Sequence, residues 1–61
     1  MTPAQGDRFV LNGHPATPEH TAQVTSVDRG TVVYEYGDWP GQPFDMPADQ
    51  FARAFRPEET R

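Results

Sequence analysis

No cysteine, lysine or isoleucine occurs in this 61-residue chain, and tryptophan, serine and leucine each occur once. Without cysteine there is no disulfide to stiffen a small fold and no thiolate zinc site. Without lysine, the five cations are all arginine and stand against nine carboxylates, for a formal net charge of −4. Non-specific nucleic-acid binding depends on Lys and Arg neutralising phosphates, so this balance argues against nucleic acid as a direct partner and favours a protein. No apolar run approaches the ~20 residues that span a bilayer, and the first residues form neither a basic nor an apolar leader region. The expected setting is the cytoplasm, with no membrane partner. Missing Lys and Ile, together with abundant Arg, Ala, Gly, Pro and Asp, suggest a genome rich in G and C, of bacterial, phage or plasmid origin.

A chain this short buries only about 60% of the surface its unfolded form exposes. Apolar residues make up 34% of it, yet it holds four Phe, two Tyr and one Trp, too many aromatics for a disordered tail. One domain of marginal stability is expected, and homo-oligomerisation is one source of further burial.

The stretch from Gly30 to Phe55 holds most of the large apolar side chains. Before it, Met1 to Gly6 reads as a loose lead-in, and Asp7 to Leu11 as a first strand with Phe9 and Leu11 on one face. Asn12-Gly13 signals a turn, and Pro15 and Pro18 make the segment through His20 an irregular loop. Thr21 to Asp28 has strand chemistry, but Val24 and Val27 break strict alternation, which implies a bulge or bend. Asp28-Arg29-Gly30 is a tight hairpin connection with Gly30 at positive φ. Thr31 to Tyr36 is the clearest strand, with Val32, Tyr34 and Tyr36 on one side and Thr31, Val33 and Glu35 on the other. Trp39-Pro40-Gly41-Gln42 fits a type II turn. Pro43 to Met46 restarts a strand, and Ala48, Phe51, Ala52 and Phe55 recur at helical steps after Pro47. Pro57 ends that helix, and residues 58–61 read as a tail.

Gly6-Asp7-Arg8-Phe9 opening a strand, Val24 to Asp28 turning tightly into Thr31 to Tyr36, and a last strand running into Pro47-Ala48-Asp49-Gln50-Phe51 together resemble the SH3-like small β-barrels of bacteria and phages. The resemblance covers Gly6 to about Phe55. It implies a mainly β, five-stranded barrel spanning residues 7–57, with one short C-terminal helix or 3-10 turn and a fifth strand at Phe55 to Pro57. The expected core is Phe9, Leu11, Val24, Val27, Val33, Phe44, Met46, Phe51 and Phe55.

Tasks differ widely among such barrels. SH3 domains hold Pro-rich ligands on aromatic grooves, for which Tyr34, Tyr36 and Trp39 supply rings, although the Ala-Leu-Tyr-Asp-Tyr opening is absent. KOW-type barrels use basic surfaces, which this chain lacks. Type II dihydrofolate reductase, a tetramer around a pore, is similar in its Gly-Asp-Arg opening and Pro-x-x-x-Leu-like terminal segment. Its Val-Gln-Ile-Tyr pore strand would fall near Pro43 to Met46, which differs, and its pore lysine has no counterpart. No catalytic residue is therefore carried over.

Trp39, on a Gly/Pro-rich hairpin tip, is the leading candidate for an interface anchor, against the alternative that it folds back over the core. With Val33 inward, Tyr34 and Tyr36 would face outward beside it; with Tyr34 inward, the patch would shrink to Tyr36 and Trp39. Asp38 and Asp45 supply an acidic surround suited to steering a partner. His14 and His20 share a Pro-broken loop and fall short of the three or four ligands of a metal site. Ser26, the sole serine, lies in a strand without a nucleophile elbow. The expectation is a small non-catalytic binding module without cofactor or metal, its protein partner unidentified, contacting it through Tyr34, Tyr36, Asp38, Trp39 and Asp45. The alternatives are a nucleic-acid-associated barrel within a larger complex, or an oligomeric pore enzyme.

Overall fold

A computed structural model describes residues 3–58. Five strands form one antiparallel sheet: β1 (Arg8–Leu11), β2 (Thr21–Asp28), β3 (Thr31–Tyr36), β4 (Phe44–Pro47) and β5 (Phe55–Pro57), in the spatial order β4-β3-β2-β1-β5. A 3-10 turn, Pro18–His20, precedes β2, and the helix α1 (Ala48–Ala54) joins β4 to β5. The fold is mainly β. Among the described residues no helix is long and apolar enough to cross a membrane.

The bulge implied by Val24 and Val27 is present. Pairing of β2 with β3 shifts register between Val24 and Ser26, leaving Thr25 as the extra residue, and the Thr25 hydroxyl donates to the Val33 carbonyl at 3.2 Å. Strict alternation would send Val24 and Val27 to opposite faces; the extra residue returns both to one face. The β2–β3 connection is the two-residue loop Arg29-Gly30, with φ of 52° and 79°. Positive φ at both positions matches the right-handed twist of the flanking strands.

The core lies on one face of the sheet and is laid out in cross-strand rows. Phe9, Ala22 and Tyr36 form one; Val24, Tyr34 and Phe44 a second; Val27, Val32 and Met46 a third. Phe9, Ala22, Val24, Val32, Tyr34, Phe51 and Phe55 are buried, with Leu11, Val27, Tyr36, Phe44 and Met46 packed around them. The expectation for Val33 is corrected: it is half-buried and pairs with Asp45 on the other face, while Val32 and Tyr34 point inward. Alternation divides β3 into two sets, and the set that meets the phenylalanines of α1 and β5 faces in. Ala22, on the same strand face as Val24, is buried as well; so is Val10 on the opposite face, which no periodicity indicated.

Helix α1 is too short to persist alone and is held at both ends. The Ala48 N–H donates to the Gly30 carbonyl at 2.7 Å, satisfying one of the orphan donors of the first turn. At the other end the Phe55 N–H donates to the Phe51 carbonyl, and Phe55 itself is extended (φ −124°, ψ 155°), entering the core as a strand residue rather than on the expected helical stripe. The Phe51 and Phe55 rings stack with centroids 4.4 Å apart, and Phe9 meets Phe51 edge-on at 5.0 Å.

The sheet edges β4 and β5 are the two strands that α1 connects. In a flat five-stranded sheet they would be about 19 Å apart, whereas a helix of this length reaches only about 10 Å. The sheet is therefore curled, with Phe51, fully buried, at its centre. Within the segment read as a lead-in, Pro3 is buried and the Gly6 N–H donates to the Val24 carbonyl. Of the expected tail, only Glu58 lies within the described residues.

Phe51→Ala should cost about 3–5 kcal/mol, as much as a single core of this size supplies. Thermal melts followed by circular dichroism should lose their cooperative transition.

Candidate functional site

The β3–β4 connection, Gly37 to Pro43, carries the tip residues and is tied down at three points. The Gly37 N–H donates to the Thr21 carbonyl at 2.9 Å, and the Trp39 N–H to the Tyr36 carbonyl at 3.1 Å. The Gly41 N–H donates to Glu35 Oε1 at 3.2 Å. Glycine is favoured at two of these places for different reasons. A Cβ on Gly37 would lie 3.2 Å from the Pro18 carbonyl oxygen, because the loop runs close against the 3-10 turn. Gly41 has φ of 84°, the left-handed conformation that the third position of a type II turn after Pro40 demands.

Trp39 is 58% exposed, the single large apolar side chain left in solvent among the described residues. Its ring meets Phe44 edge-to-face at 5.8 Å. Phe44 in turn meets Tyr36 at 5.5 Å and stacks on Tyr34 at 5.9 Å. The indole is thus the outermost member of an aromatic series rooted in Phe55 and Phe51, and edge-on contacts of this kind add about 0.5–1.5 kcal/mol each beyond burial.

Of the residues singled out in the sequence, Tyr36 and Trp39 come together through Phe44. Tyr34 does not belong to the surface: it is 4% exposed and sits between Val24 and Phe44 in the core. Asp38 is exposed beside Trp39, and Asp45 is exposed on the face of β4 opposite Phe44. The acidic groups therefore flank the aromatic edge from the tip and from the outer face.

Among the described residues Tyr34 carries the one clear ionisation shift. Burial pushes its phenol up to about 12, with Tyr36 and the Asp45 carboxylate adding to the effect.

Glu35 and Phe44 were not singled out by their local sequence as part of the site. Glu35 reads as an outward strand carboxylate, and its bond to Gly41 spans six residues. It also belongs to an outer-face row, Arg8, Gln23 and Glu35, over which Pro40 and Gly37 close a shallow depression of about 170 Å³. The His14 and His20 rings stack at 4.2 Å. Among the described residues no group of three or more potential ligands could hold a metal ion. Comparisons with protein-family models, with curated proteins and with solved structures find no match to this chain.

Glu35→Ala removes the acceptor for Gly41 and should cost about 1 kcal/mol. Trp39 should then show faster anisotropy decay, while circular dichroism keeps its β signature. A second expectation concerns Tyr34. Unfolded, its phenol ionises near the ordinary value of about 10; folded, it stays protonated until about 12. Its contribution is complete below the unfolded value and falls as pH rises through that window. Urea midpoints should drop across this range in the wild type and drop less in Tyr34→Phe.

Proposed function

We propose that this chain is a small non-catalytic binding module that holds a protein partner on Tyr36, Trp39 and Phe44, with Asp38 and Asp45 steering the approach. The observation that carries the reading is the exposure of Trp39 on a loop pinned at Gly37, Trp39 and Gly41. Leaving one indole in water, in a chain with so little apolar surface to bury, forgoes stabilisation that the core would otherwise gain. Exposed, rigidly mounted Trp is the side chain most often found carrying the energy of an interface. Fixing the loop before binding also lowers the ordering cost at association.

In this reading the curled sheet is a small SH3-like barrel with α1 across the gap between β4 and β5, and the module serves as an accessory or regulatory factor of bacterial, phage or plasmid origin in the cytoplasm. Shape, rather than a reactive group, is what the barrel contributes. The outer-face depression over Arg8 and Glu35 has its charges already engaged: Arg8 Nε donates to Glu58 at 2.8 Å and Glu35 accepts from Gly41.

Affinity capture with wild type and Trp39→Ala as baits tests the reading. A protein held by the wild type should bind Trp39→Ala at least about tenfold more weakly. An identical set of captured proteins, at equal affinity, would overturn it.

A further inference from the structure

A second depression, of about 490 Å³, lies at the β1–β5 edge, lined by Val10, Ala16, Arg56, Pro57 and Glu58. Val10 faces away from the main core yet is only 2% exposed. Its cover comes from the loop that Arg56 ties down, donating to the Leu11 carbonyl at 3.2 Å and to the His14 carbonyl at 2.9 Å. The volume falls within the ~300–1,000 Å³ of ordinary ligand pockets and is ample for one indole. Its exposed walls are Ala16, Pro57 and Arg56, with the covered Val10 beneath them. Glu58, the one carboxylate in the lining, is paired with Arg8.

The charges of the chain are divided accordingly. Asp38 and Asp45 flank the exposed aromatic edge, whereas Arg56 lines the depression. Two copies side by side would repel through their net charge of −4. An arrangement that sets the tip of one against the depression of another brings Asp38 towards Arg56. Two of the five Arg56 donors are taken by the loop carbonyls, which leaves others for a carboxylate and the planar face for an aromatic ring.

Resting on the reading of Trp39 as a binding anchor, we propose that a second copy of this chain is the occupant of the tip: Trp39 of one copy enters the Ala16/Arg56/Pro57 depression of the next, with Asp38 against Arg56. Within a single chain the indole leans on Phe44 and is not among the residues lining the depression. The contact joins two different surfaces, so it closes as a reciprocal pair or continues head to tail. A single indole buries about 150–250 Å², well below the ~1,200 Å² of stable complexes. The association is correspondingly weak, with Kd on the order of 0.1–1 mM.

Sedimentation velocity of the full chain over a concentration series up to about 1 mM tests this, using wild type, Trp39→Ala and Ala16→Trp. Ala16 is exposed on an irregular loop, so its replacement fills the depression without entering the core. The wild type should associate, and each variant alone should do so at least about tenfold more weakly. An equimolar mixture should recover association, because one variant keeps a tip and the other an open depression. Asp38→Arg, which leaves the aromatic rings untouched, should also weaken the wild-type association. Wild type that remains monomeric throughout, or Ala16→Trp that associates as wild type does, overturns the proposal. If the wild type stays monomeric but captures a different protein through Trp39, self-docking fails and the binding reading stands. Wild type that stays monomeric and whose capture of other proteins is indifferent to Trp39→Ala overturns both.

Discussion

Two valines three residues apart in one strand cannot both face a core unless the strand carries an extra residue between them. The bulge at Thr25 supplies it, and the rest of the molecule follows from that irregularity. On one side of it β2 pairs with both β1 and the end of β3; on the other it pairs with β3 alone as far as the Arg29-Gly30 turn. The added twist curls the sheet, and the curl lets a seven-residue helix connect its two edges. Phe51 then enters the space enclosed, meeting Phe9, Tyr34 and Phe55.

The exposed tip is a consequence of how fully that space is taken. Tyr34 occupies the inward place opposite Val24, and Phe44 stacks on it from the neighbouring strand. No inward register position remains for Trp39, which rests on the outer side of Phe44. Glu35, pointing the other way from the same strand, holds the loop through Gly41. One strand therefore fills the core with its Val32, Tyr34 and Tyr36 face and fixes the presentation of the indole with Glu35.

Local chemistry made much of this legible. The spacing of Val24 and Val27 marked the bulge, Arg29-Gly30 the hairpin, Pro40-Gly41 the turn, and the three- and four-residue steps after Pro47 the helix. What it could not settle was which side of β3 turns inward, because Val33 is a good core residue and the two tyrosines carry hydroxyls suited to a surface. That choice is made by rings distant in sequence, Phe44, Phe51 and Phe55, which the tyrosine side meets and Val33 would not. Val10 was hidden for a similar reason: its cover is an irregular loop fastened by Arg56 from the far end of the chain. Hydrogen bonds over forty residues leave no periodic trace. The candidate site was legible in Trp39, Tyr36 and Asp38, whereas Phe44 as its support and Glu35 as its anchor emerge only from packing.

The central claim is that Trp39 stands in solvent on a fixed loop while the rest of the aromatic series is packed beneath it. Fluorescence of dilute protein, where copies are apart, tests it most directly, since Trp39 is the only indole. The account predicts emission close to that of a hydrated indole and ready quenching by acrylamide, somewhat below that of a free tryptophan derivative because Phe44 covers one edge of the ring. Blue-shifted emission protected from the quencher in the dilute monomer would place the ring inside the fold and contradict it.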